Sequence, residues 1–107
     1  MPRGQRIEYP GAIYHVMARG NNRETVFSHS ADKKAYLDIL RKYRVKYSFL
    51  ILAYALMHNH CHLALQVSQV PLSKIMQGIQ QVYTQYYNTK YDRVGHVFQQ
   101  RYKAKVC

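Results

Sequence analysis

The chain of 107 residues has no tryptophan, two cysteines, three prolines, five glycines and only five acidic residues. Each shortage excludes something. Cys61 lies in an apolar segment and Cys107 at the last position, which is no disulfide framework, so a reducing cytoplasm is the expected compartment. The acids Glu8, Glu24, Asp32, Asp38 and Asp92 are scattered, which removes the paired carboxylates of most hydrolases. No glycine-rich phosphate loop is present. The longest apolar run, Phe49 to Met57, falls far short of the roughly 20 residues that span a bilayer. The basic start is followed by no apolar stretch or small-residue cleavage site, so it does not read as a secretory signal.

Against five acids stand 16 lysines and arginines, a formal net charge of +11. The economical partner for such an excess is a polyanion, because phosphate backbones release counterions when lysine and arginine neutralise them. Anionic lipid would also attract it, but would call for a basic amphipathic helix or a lipid anchor, and here the cations are spread along the whole chain. Hydrophobic content of 48% with 13% aromatics argues against disorder and supplies a core. The length is that of one domain.

The pattern predicts six elements. The first ten residues read as an extended basic arm ending at Pro10-Gly11. Ala12 to Arg19 is β-branched and aromatic enough for a strand, with Ile13, His15 and Met17 on one face and Tyr14, Val16 and Ala18 on the other. Gly20-Asn21-Asn22-Arg23 breaks it. Ser30 is the expected N-cap of a helix to Tyr47, with Asp32 in its first turn and Tyr36, Ile39, Leu40, Tyr43 and Tyr47 at helical spacing. Ser48–Met57 has the length of a buried strand, and His58-Asn59 is a tight turn. His60–Val67 alternates, with Cys61, Leu63, Leu65 and Val67 opposite His60, His62, Ala64 and Gln66. Pro71 opens a second helix, to about Asn88, with Leu72, Ile75, Met76, Ile79, Val82, Tyr83 and Tyr86 on its apolar side. Gly95–Val106 completes the set as a basic strand. The order βαββαβ implies an α+β, ferredoxin-like fold: an antiparallel sheet with two helices on one face and strands one and three in the middle. The other face stays open.

His60 and His62 are the centre of the functional reading. Two histidines at i and i+2 on a strand project from one face, close enough to share a metal ion. The bland reading makes them half-buried or solvated sheet residues. A zinc cluster of His58, His60 and His62 with Cys61 is a further rival, weakened because Cys61 points to the opposite face of a strand. As a nucleophile the Cys61 thiol is disfavoured by its apolar neighbours. Eleven tyrosines are in excess; most suit packing, though a phenol can attack phosphorus when a metal polarises the phosphate.

Three groups of residues carry a resemblance. They are Tyr14-His15-Val16 with Arg19-Gly20-Asn21-Asn22-Arg23, then Leu56-Met57-His58-Asn59-His60-Cys61-His62-Leu63, then Tyr86-Tyr87-Asn88 with Gly95-His96-Val97-Phe98-Gln99-Gln100-Arg101-Tyr102-Lys103. In this order and spacing the chain resembles the single-tyrosine HUH transposases, most of all their IS200-like, REP-associated branch. His58 stands where that family usually has proline. The resemblance implies that His60 and His62 bind Mg²⁺ or Mn²⁺ and polarise a scissile phosphate in single-stranded, hairpin-forming DNA. A tyrosine would attack it, leaving a 5′-phosphotyrosine and a free 3′-OH. Arg19, Asn21, Asn22 and Arg23, and Arg101, Lys103 and Lys105 of the last strand, become candidate DNA contacts, each with a solvated charge as its plain alternative. Family members are thought to share their tyrosine helix across a homodimer. That helix lies downstream of the Arg-Tyr-Lys strand, and residues 1–107 stop a few residues past it, so the expectation is one transposase-like domain that ends before the nucleophile. Tyr83, Tyr86, Tyr87 and Tyr91 do not match the nucleophile's motif. The competing class is a metal-independent, RRM-like single-strand binder, which needs aromatics on the open face of the central strands.

Overall fold

A computed structural model describes residues 9–99 and 101–107. Most of the basic arm expected over residues 1–10 lies outside them. Alternation builds the centre of the molecule. Strand β1 (Ile13–Arg19) buries Tyr14, Val16 and Ala18, and strand β3 (His60–Gln66) buries Cys61, Leu63 and Leu65, so each commits one face to a core. The remaining elements are α1 (Ser30–Tyr47), β2 (Leu50–Met57), α2 (Leu72–Lys90) and β4 (Lys103–Val106). The strands form one antiparallel sheet in the order β2-β3-β1-β4, with β1 and β3 central as the ferredoxin-like reading requires. Both helices cover the Tyr14/Val16/Leu63/Leu65 face. Among the described residues no helix is long and apolar enough to cross a membrane.

Tyrosine does much of the packing. Tyr36 of α1 meets Tyr83 of α2 edge-on at 5.2 Å between ring centroids, and Phe27 meets Tyr36 in the same way at 5.3 Å. From α2, Tyr83 Oη donates to the Val26 carbonyl and Tyr87 Oη to that of Thr25, so these rings fill the core while their tips satisfy loop carbonyls. Tyr87 is buried, whereas Val82, expected in the apolar stripe, is only half-buried.

The helices are joined at a fully buried carboxylate. Asp32 Oδ2 accepts the backbone N–H of Ser28 at 3.0 Å and of His29 at 3.1 Å, and the Tyr91 hydroxyl at 2.6 Å. Its Oδ1 accepts Tyr86 Oη and Lys90 Nζ, both at 2.8 Å. The start of α1 is thereby tied to the end of α2. The N-cap is His29, one residue before the expected Ser30, because the carboxylate at Asp32 reaches back to the His29 N–H.

Two expectations need correction. Ser48–Met57 is not a buried strand: β2 lies on the sheet edge, with Leu50, Leu52, Tyr54 and Met57 about half-exposed, because the helices do not cover it fully. Nor does a strand run from Gly95. Gly95 has φ +92° and Asp92 φ +50°, left-handed turns that cannot enter a ladder. Val97 and Phe98 instead dip into the core, and Phe98 makes a lone bridge to Gly20 before β4 begins at Lys103.

The Asp32 carboxyl tests this anchoring. Burial acts to raise its pKa, but Lys90, Tyr91, Tyr86 and the His29 N–H override that and hold it well below the usual carboxylate range. A depressed folded pKa gives stability that is full above the unfolded value, about 4, and is lost as pH falls toward the folded one. Asp32→Asn should therefore cost about 2–4 kcal/mol at neutral pH, and the drop in Tm of the parent chain between pH 4 and pH 2 should shrink in the variant. Calorimetric scans across that range check both. Gly20→Ala should cost about 2 kcal/mol or more by the same measurement, since a Cβ there overlaps the Glu24 carbonyl oxygen.

Candidate metal and nucleic-acid site

The core alternation sends every second residue of the central strands to the uncovered face. Antiparallel pairing lines them up in rows. One row reads Ala55, His62, Met17 and Lys103; another reads Ala53, Ala64, His15 and Lys105; a third places Met57, His60 and Arg19 side by side. The open face of the two central strands therefore carries histidine, arginine, glutamine and small or aliphatic residues, and no tyrosine or phenylalanine.

His60 and His62 sit edge-to-face, with centroids 5.2 Å apart. His60 Nδ1–H donates to Asn59 Oδ1 at 2.8 Å; the acceptor is an amide oxygen, so the proton is on Nδ1 and the lone pair on Nε2. His62 Nδ1 is 3.1 Å from His15 Nε2, and those two rings are nearly parallel. The pKa of His62 is pushed down, first by partial burial and then by the neighbouring His60 and His15 rings. A neutral imidazole is the form that ligates a metal.

Such an ion fits these residues as a two-nitrogen donor pair. Among the described residues no group of three or more His, Cys, Asp or Glu side chains gathers around one point, which leaves the other positions to oxygens of water or phosphate. The zinc alternative fails on direction. Cys61 is fully buried on the helix side, its Sγ donates to Tyr36 Oη at 3.7 Å, and burial pushes its thiol up to about 11.

Beside His60 an open hollow of about 340 Å³ is lined by Arg19, Arg23, Asn59 and His60. Its shape comes from the break after β1. Gly20 permits the tight turn Asn21–Arg23, in which Asn22 and Arg23 have φ +55° and +60°. Asparagine tolerates that conformation and arginine adopts it at a cost, which tertiary contacts must hold in place. They do: Gly20 N–H donates to the Asn59 carbonyl, Asn21 N–H to that of Val97, and Val26 and Phe27 N–H to that of His58. Glu24, an acid of the same loop, is held by Arg93 at 3.0 Å. The hollow itself has two guanidinium groups, an imidazole and an amide, the lining of an anion site.

The sequence candidates thus separate. Arg19 and Arg23 converge on His60. Lys103 shares the row of His62, and Lys105 that of His15. Asn21 serves the loop through its backbone, while the side chains of Asn22 and Arg101 are exposed and do not line the hollow. Two residues have no role legible in the sequence: Asn59, there a turn residue, and His15, whose face is legible but whose neighbour across the sheet is not. The α2 tyrosines lie on the helix side, across the sheet from the histidines. Burial first, then the Asp32 charge, raises the pKa of Tyr83; burial and the hydrogen bond to Asp32 raise those of Tyr86 and Tyr91. None of these three is an activated phenol.

Comparison with known proteins bears on the fold and the family. The family model described as "Transposase IS200 like" matches residues 8–107. No curated protein matches the chain. Among solved structures, a REP-associated tyrosine transposase bound to a REP hairpin superposes with a TM-score of 0.81 at 14% identity, covering 100% of this chain and 62% of that one. A crystallised protein of Deinococcus radiodurans R1, assigned as a transposase, gives 0.73 at 16% identity, covering 100% of this chain and 85% of that one. At such identities these two likenesses show the fold alone. The chain spans about three-fifths of the length of the hairpin-bound protein. The family match is of another kind, running through β1, the histidine strand and the last strand: the chain belongs to the IS200-like transposase family.

Proposed function

We propose that these residues form the DNA-handling, metal-binding core of a single-tyrosine HUH transposase acting on single-stranded, hairpin-forming DNA. One observation carries the reading. His60 belongs at once to the histidine pair and to the arginine-lined hollow, so a cation held by His60 and His62 and a phosphate held by Arg19 and Arg23 would be neighbours. Mg²⁺ or Mn²⁺ bound there would supply Lewis-acid polarisation of the phosphate. The chain's own residues do the rest. Arg19 and Arg23 hold phosphate oxygens in fixed geometry, and Lys103 and Arg101, with the overall charge of +11, draw the DNA backbone onto the open face. The phenols of α1 and α2 are on the wrong side of the sheet. In this reading the attacking tyrosine is brought to the open face by another segment, of this protein or of a partner copy.

Homodimerisation is part of the proposal, supported by the apolar edge. Leu52 and Tyr54 of β2 are 50% and 53% exposed on a strand that, among the described residues, has one unpaired side, a template for another strand. Leu52→Lys should move the chain from dimer to monomer in light scattering across a concentration series; a parent chain that is monomeric throughout contradicts this part alone.

Binding of a labelled hairpin with a single-stranded flank tests the main reading. Arg19→Ala with Arg23→Ala should weaken binding roughly 10-fold or more and lower the salt slope by about one to two. His60→Ala with His62→Ala should abolish retention of Mn²⁺ by the protein. Hairpin binding indifferent to Mn²⁺ and to all four substitutions would instead indicate a metal-free single-strand binder.

A further inference from the structure

The sheet register brings a third imidazole to the proposed cation site, in a role that spacing within β3 does not reveal. His15 of β1 lies directly opposite Ala64, whose small side chain leaves room for the His15 ring to reach diagonally to His62. The two rings lie within 15° of parallel, 5.2 Å between centroids, with His15 Nε2 at 3.1 Å from His62 Nδ1. One proton must lie between those nitrogens. Which ring carries it decides what His62 can do: a proton on His62 Nδ1 leaves its Nε2 lone pair free, whereas a proton on His15 Nε2 forces the other tautomer and blocks Nε2.

The neighbouring residue shows which arrangement is useful. Asn59 fixes His60 with its proton on Nδ1 and its lone pair on Nε2. Both rings of the pair thus have Nδ1 engaged from behind, His60 by an amide oxygen and His62 by an imidazole. Partners of this kind orient ligating histidines and set their tautomer.

We propose that His15 is a positioning residue. It accepts the Nδ1–H of His62, and so holds the His62 ring with its Nε2 lone pair presented to a divalent cation. His15 does not itself ligate the ion. The inference rests on the proposed reading of His60 and His62 as a divalent-cation site. Asn59 and His15 are then matching supports, one beneath each ring.

Two measurements on the full chain test it. In the metal-free protein, nitrogen-15 NMR of the imidazoles should show His62 protonated at Nδ1, and His15→Phe, which keeps a flat ring but removes the acceptor, should shift it toward Nε2–H. Mn²⁺ titration followed by electron paramagnetic resonance should then show affinity falling roughly 10–100-fold in His15→Phe and largely recovered in His15→Gln, whose amide oxygen can accept the same proton. Because His15 is exposed, both variants should keep the parent Tm. Mn²⁺ affinity that falls in His62→Ala but not in His15→Phe, or His62 protonated at Nε2 in the metal-free parent, overturns the role of His15 and leaves the cation site standing. Mn²⁺ uptake unaffected by His60→Ala with His62→Ala overturns the cation site itself.

Discussion

The unbroken register between β1 and β3 is the constraint on which the rest of the molecule depends. Seven successive pairs run from Ile13 opposite Gln66 to Arg19 opposite His60 without a bulge. A slip of one residue would exchange the faces, sending Tyr14, Val16 and Ala18 to water and His15 and Arg19 into the core. Burial of the first set, all within 1% of complete, makes that exchange costly. The same energy that builds the core therefore fixes the position of His15 beside His62 and of Arg19 beside His60. The open face has no stabilising core of its own. It is held in place by the hydrophobic face behind it.

Much of this was legible in the residues themselves. Alternation in His60–Gln66 and Ile13–Arg19 is a local property with a period of two, so the strands and the sorting of their faces followed from sequence. The helices were similarly legible, from apolar spacing and from Pro71 at the start of α2. What could not be read depends on contacts between distant residues. β2 has the composition of a buried strand, and only its place at the sheet edge leaves Leu52 and Tyr54 exposed. Asp32 reads as an ordinary first-turn acid, yet it is the point where α1 receives Tyr86, Lys90 and Tyr91 from 54 to 59 residues away. The pairing of His15 with His62 spans 47 residues and depends on register alone.

The excess of tyrosine takes on a different meaning in the folded chain. In a family whose chemistry runs through a tyrosine, eleven phenols invite a search for the nucleophile among them. The tyrosines of α2 are instead structural, their rings in the core and their hydroxyls on Thr25, Val26 and Asp32. They clamp the segment that leads from the Asn21–Arg23 turn into α1. That segment also closes on the β2–β3 turn through the His58 carbonyl, so the clamp supports the loop that holds Arg23 over the hollow. Core packing and the proposed anion site are thus linked through one stretch of backbone.

In the proposed site one divalent ion on the open face touches both imidazole nitrogen and DNA phosphate. Electron–nuclear double resonance on Mn²⁺ in the complex of the full chain with hairpin DNA measures this directly. An ion held in this way gives nitrogen-14 couplings from two imidazoles together with a phosphorus-31 coupling from the bound strand. A spectrum with phosphorus and water protons but no imidazole nitrogen would contradict it.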